Sequence, residues 1–407
     1  MNRDVICTWH MFKELSERLT LAASTRPEQA ESLTEMLAVL SELFDGAAAG
    51  AESPVKGPTM HASASRGLNE REFEAGVLEL TRPDFVEQVV YPAVFGKRPG
   101  DARAVRFEAS VPQADRGTGR VTVRYRLGTD AMVFGKLYPE RQPRAFEVMQ
   151  RLRAAGFGGG PYQAAEPLAF LTDRNFLLTR TAPGEPLMNY IGNEGPEVIE
   201  QVRRAARWLV RLHSSPLRIG PPEGLWKSLK LFTILRRITK AAAAMPLDRN
   251  RFMEMIGRLC QRAGETGDRP PVVQTHGSFH YEHVYVSEET VTVIDFDQSL
   301  PADPAKDLTF FLTMLRRRTF KRTGSVAAAR KPTRAFLDEY RSHLPANMQN
   351  LAVYWGAAVL LDLFHYKKKE ARQGDMMKPL IAFLEKDFDA VLSGELIGNT
   401  EESSIAI

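Results

Sequence analysis

The chain has 407 residues, 43% hydrophobic and 26% charged, with a formal net charge of +4. That is the composition of a globular protein long enough for two or three packed units, and so small a charge gives no footprint for nucleic acid while leaving room for an anionic ligand. Two widely separated cysteines, Cys7 and Cys260, argue against a disulfide framework and for a reducing cytoplasm; no apolar run reaches the length of a membrane span, and the start lacks a signal-peptide core.

In chain order, Ala30, Leu33, Met36, Leu37, Leu40 and Leu43 fall at helical spacing within Glu28 to Phe44. A small-residue stretch from Gly46 to Ser65 then reads as a linker, so residues 1–67 form a helical extension. Asn69 to Leu80 reads as a further helix, while Asp84 to Phe95 is too short and Pro-bounded to assign.

From Val105 the apolar period changes to two. Val105–Val111, Val121–Leu127 and Ala131–Tyr138 read as three antiparallel strands, followed by a helix from Pro143 to Ala155 and two strands, Glu166–Leu171 and Asn175–Arg180. The loop between the first two strands carries Gly117 and Gly119, which would let backbone amides approach a phosphate chain or simply close a turn. Val198 to His213 is amphipathic and ends in a packed histidine, and Lys230 to Cys260 supplies further helices.

The densest chemistry lies at Thr275-His276-Gly277-Ser278-Phe279-His280-Tyr281-Glu282-His283, between two short strands, followed by Val293-Ile294-Asp295-Phe296-Asp297. Asp295, after an apolar strand, suits a hard cation, and Asp297 stands beside it as an auxiliary ligand. Three histidines in eight residues also allow a transition-metal site, although a scaffold role for His276 and His280 is the stronger reading. Asp303 and Asp307 in Pro301-Ala302-Asp303-Pro304-Ala305-Lys306-Asp307-Leu308 read as scaffold, Asp303 capping the next helix. Arg316 to Arg322 and Lys367 to Lys369 read as solvated basic helix ends.

This region resembles the aminoglycoside phosphotransferase and choline kinase-like family, which has His-Gly-Asp, four residues, Asn, a strand, Ile-Asp-Phe and Asp-Pro-x-x-Asp-Leu. The resemblance implies an α+β protein kinase-like fold: an N-lobe of antiparallel strands over 68–183, a mainly helical C-lobe over 184–397 and a polar tail over 398–407. It implies an ATP-dependent phosphoryl transfer to a small hydroxylated molecule, with Mg²⁺ or Mn²⁺. Lys136 in the third strand would hold the phosphates, with Glu147 on the next helix as its ion-pair partner, and Arg180 and Ala182 would border the nucleotide. Asp295, His283 and Asp297 would bind the metal. The sequence departs from the family twice: Ser278 replaces the catalytic Asp and His283 replaces the Asn. A hydroxyl is no general base at neutral pH, which leaves His280 and Glu282 as nearby substitutes, or else a pseudokinase that binds nucleotide or a protein partner without transfer.

Overall fold

A computed structural model describes residues 17, 20, 76–96, 107–115, 120–128, 131–139, 143–193, 195–223, 246–265, 271–325, 327–373 and 378–395. The helix expected over Glu28 to Phe44, the linker after it, and Gly117 and Gly119 lie outside the described residues.

The segment left unassigned in the sequence is helical, running through Pro83–Phe85, Val86–Val90 and Tyr91–Phe95. Gly96 ends it at φ +71°, a left-handed conformation that suits glycine. Strands β1 (Phe107–Asp115), β2 (Arg120–Leu127) and β3 (Ala131–Leu137) follow, then helix α1 (Pro143–Leu152). Next come β4 (Tyr162–Ala164), β5 (Pro167–Leu171), β6 (Phe176–Arg180), β7 (Glu185–Pro186) and helix α2 (Pro196–His213). After α3 (Pro246–Glu265) come β8 (Val273–Thr275), β9 (Val284–Val286), β10 (Val291–Val293) and β11 (Leu300–Ala302). The chain closes with α4 (Ala305–Thr323), α5 (Arg330–His343), α6 (Leu351–Gln373) and α7 (Lys378–Ser393).

The chain divides into two compact units. One holds the described residues from 76 to 220 and from 276 to 299. Its five-stranded sheet has the order β1-β2-β3-β6-β5, with all neighbours antiparallel. Strict alternation drives it: Val121, Val123, Tyr125 and Leu127 are all buried on one face of β2, each contributing roughly 2 kcal/mol of apolar burial. The Tyr125 hydroxyl donates to Leu80 O at 2.8 Å, tying the sheet to the helical segment that precedes it. The first strand runs further than the sequence suggests, with a register break between Ser110 and Gln113; Pro112, which has no N–H to donate to a ladder, lies inside that break. A smaller sheet, β4-β10-β9-β7, belongs to the same unit.

The other unit contains the β11-β8 pair and helices α3 to α7. The class is α+β, as expected. The boundary differs from the expected break at 183, because β7 pairs with β9 and α2 packs on β4 and β10, which keeps residues 184–220 and 276–299 with the strands. The basic helix ends also differ from expectation. Arg316 pairs with Asp387 at 2.5 Å and Arg317 pairs with Asp362, so two of these arginines are held by carboxylates of α7 and α6.

Asp303 starts α4. Its Oδ1 accepts from Ala305 N at 2.8 Å and its Oδ2 accepts from Asn350 Nδ2 at 2.7 Å. Burial outweighs these bonds and raises the carboxyl from 3.8 to about 6. A raised folded pKa means that stability is fully present below the unfolded value near 3.8 and is lost as pH rises through about 6, by about 3 kcal/mol. Denaturant midpoints measured from pH 4 to pH 7 should therefore fall less in Asp303→Asn than in the wild type. Asn350 Oδ1, buried with no partner among the described residues, can accept from the new amide.

Candidate active site

The loop between β8 and β9 is fixed by packing. Phe279 stacks on Trp208 of α2 with centroids 5.7 Å apart and planes 9° apart, and the Trp208 indole donates to Gln163 O at 2.8 Å. His276 Nε2 meets Ile294 O at 2.8 Å, and its ring lies 4.8 Å from that of Phe296, so this histidine is scaffold. Gly277 sits at φ +84°, and a Cβ there would fall 2.1 Å from Gln298 O. No other residue fits that turn without moving backbone. Gly184 is equally constrained against Val286 O.

Lys136 reaches from β3 to two carboxylates, with Nζ 3.0 Å from Asp295 Oδ1 and 2.5 Å from Asp297 Oδ2. The Tyr138 hydroxyl donates to Asp297 Oδ1 at 2.7 Å. Sequence reasoning missed Tyr138, although it lies two residues after Lys136, the spacing that shares a strand face. Burial alone would lower the lysine, but Asp295 and Asp297 outweigh it and hold its pKa above the usual range. The two aspartates separate. Asp295 is held well below the ordinary range because Lys136 and His283 overcome its burial, whereas burial and the neighbouring Asp295 raise Asp297. Both backbone and charge set Asp295 apart, since it adopts φ +65° and ψ +67°, a conformation that costs an L-residue about 1 kcal/mol or more and gathers at functional sites.

Glu147 does not face the lysine as expected. It is exposed and meets Arg151 one turn along α1 at 3.4 Å, while Lys136 takes its carboxylates from the loop after β10. Arg180 is held by Glu166 at 2.7 Å and Ala182 is buried at the end of the sheet. Ser278 is half-buried, and the Glu282 side chain is exposed. His280 is buried and accepts from Glu282 N at 3.3 Å through Nδ1; burial pushes it down to about 4. It is neutral at pH 7 and a weak base.

His283 is pushed down to about 3, chiefly by burial. Its Nδ1 lies 3.0 Å from the Ser278 carbonyl, which only accepts, so the proton of the neutral ring is assigned to Nδ1. That leaves the Nε2 lone pair facing Asp295 Oδ2 at 3.4 Å. Two acceptors so placed fit a cation between them. Among the described residues, however, no group of three or more histidine, cysteine, aspartate or glutamate side chains is arranged to hold a metal ion. Asp297, expected as a third ligand, is turned to Lys136 and Tyr138 instead. Mg²⁺ is compatible with so open a set, because it is usually held by one or two carboxylates with phosphate oxygens and water completing the shell.

A lysine on the third strand is thus held against an aspartate pair that follows a His-Gly loop. The sequence profile of the phosphotransferase enzyme family matches residues 119–344, and the chain belongs to that family. A search of curated proteins finds no match. Solved structures similar to this chain include a glucosamine kinase bound to glucosamine, ADP and inorganic phosphate, at 17% identity over 77% of this chain and 83% of that one, with a TM-score of 0.48. An ethanolamine kinase from Plasmodium vivax is 14% identical over 79% and 89% of the two chains, with a TM-score of 0.47. A choline/ethanolamine kinase family protein from Mesorhizobium loti is 17% identical over 71% and 93%, with a TM-score of 0.45. Among the described residues no helix is long and apolar enough to cross a membrane.

Proposed function

We propose that this protein transfers the terminal phosphoryl group of ATP to a hydroxyl of a small molecule, without the carboxylate base its family uses. The observation that carries this reading is the Lys136–Asp295–Asp297 cluster with Tyr138, a half-buried, charge-paired assembly with a strained aspartate at its centre. Lys136 binds the phosphates, exchanging its aspartate partners for phosphate oxygens. Asp295, ionised throughout the physiological range, would hold Mg²⁺ with His283 beside it, and Tyr138 keeps Asp297 oriented. A cation held there would supply neutralising charge to the phosphates. Transfer of this kind asks the protein mainly for positioning and charge stabilisation, so the loss of a base slows it without removing its main contributions. Ser278, fixed by the Phe279–Trp208 stack, accompanies the acceptor hydroxyl and orients it by hydrogen bonding.

One observation favours a second reading, a nucleotide-binding protein without turnover: neither neighbour replaces the missing carboxylate, since Glu282 is exposed and His280 is a weak base. Both readings require nucleotide. At 100 times its dissociation constant, ATP with Mg²⁺ or Mn²⁺ should stabilise the protein by about 2.7 kcal/mol, raising the melting temperature by several degrees over ATP with a chelator. An unmoved melting temperature under both metals would remove both readings.

A further inference from the structure

Between Leu308 and Leu337 the chain carries eight arginines and lysines and no acid, in a molecule whose formal net charge is only +4. The structure turns two of them to carboxylates, Arg316 to Asp387 and Arg317 to Asp362. Five others, Lys321, Arg322, Arg330, Lys331 and Arg334, are exposed. Gly324 brings these five together. It ends α4 at φ +70°, with its N–H donating to Phe320 O at 2.8 Å, and a 3₁₀ turn over Ala327–Ala329 leads into α5. That turn packs on α4, and Phe311 of α4 stacks on Phe336 of α5 with centroids 4.1 Å apart, so the end of one helix lies beside the start of the other.

Helix stability accounts for only part of this charge. Lys321 and Arg322 close α4, where the dipole favours cations, but Arg330, Lys331 and Arg334 crowd the start of α5, where it disfavours them, and no acid stands in that first turn. Arg334 meets Asp338 one turn on at 3.4 Å, whereas no ion pair holds Lys321, Arg330 or Lys331 among the described residues. Every described residue from 321 to 331 except Ala329 is exposed, so the cations project from the tip of a helical hairpin instead of lining a groove, and none of the exposed residues there is aromatic. Single-stranded nucleic acid is held in a charged groove with aromatic rings to stack its bases. A projecting cluster of cations suits a flat anionic surface, where each charge within reach adds to the attraction.

We propose that the tip joining α4 and α5 docks on an anionic lipid surface, with Lys321, Arg322, Arg330, Lys331 and Arg334 meeting the phosphate headgroups and the helices staying outside the hydrocarbon. The contact lies in the helical unit, uses none of the residues around Lys136, and stands independently of the phosphotransferase reading. Co-sedimentation of the full chain with vesicles containing phosphatidylglycerol tests it. Binding should saturate with lipid, be absent with phosphatidylcholine alone, and fall by about tenfold or more between about 0.05 M and about 0.3 M salt. Lys321→Ala, Arg330→Ala and Lys331→Ala combined should weaken it about a hundredfold, at roughly fivefold for each cation. Removing as much charge elsewhere, by Arg82→Ala, Arg124→Ala and Arg151→Ala combined, should change it by at most about threefold, because charges beyond the screening length contribute little. No binding to the anionic vesicles, equal losses in the two triple variants, or tighter binding at the same salt to an RNA or DNA oligonucleotide than to the vesicles would overturn the proposal.

Discussion

Lys136→Met should lower ATP affinity about 100-fold, roughly 2.7 kcal/mol, when binding is measured by calorimetry in Mg²⁺. Methionine keeps much of the apolar stem and removes the ammonium that pairs with both Asp295 and Asp297. The substitution also leaves two half-buried carboxylates close to one another without their shared cation. One of them should take up a proton, so the remaining weak binding should improve as pH falls, because protonation relieves the repulsion around the phosphates. Affinity retained at the wild-type level would place the nucleotide elsewhere and remove the role assigned to β3.

Ser278→Asp should raise kcat for phosphoryl transfer by about 10² to 10⁴ while leaving KM for ATP near its wild-type value. The substitution adds a carboxylate on a loop whose backbone is already fixed by Phe279, His276 and Gly277, so the new group inherits a defined direction. Lys136, Asp295 and Asp297 are unaltered, which is why the gain should appear in kcat. An unchanged rate would mean that position 278 does not face the acceptor, and that the enzyme, if active, uses another group.

The strands of the small sheet were legible because period-two burial is strict in them; Val121, Val123, Tyr125 and Leu127 announce their face by themselves. The site's principal pair was legible for a related reason. Lys136 interrupts an apolar strand and Asp295 ends one, and each must find a charged partner. What the sequence did not reveal was the pairing itself. Glu147 was the expected partner of Lys136 because one turn of α1 could have aimed it inward, but nothing in a helix pattern distinguishes a face beside the cleft from one beside Arg151. The left-handed backbone of Asp295 was equally hidden, because a non-glycine residue gives no sign that it will be forced to φ +65°. The arginines of α4 misled in the opposite direction: a basic run resembles a solvated helix end until Asp387 and Asp362, more than forty residues away in sequence, are brought beside it.

On the proposed function, a cluster built on Lys136 and Asp295 still carries out transfer with Ser278 in place of the base. The most direct measurement is acceptor-dependent ADP release with product detected by ³¹P NMR, over sugars, amino alcohols and aminoglycosides, in Mg²⁺ and in Mn²⁺, for the wild type beside Asp295→Asn. A phosphorylated product is expected from at least one acceptor class, formed slowly by the wild type and absent in Asp295→Asn. Tight nucleotide binding with no product from any acceptor in either metal would contradict it and leave a nucleotide-binding protein in its place.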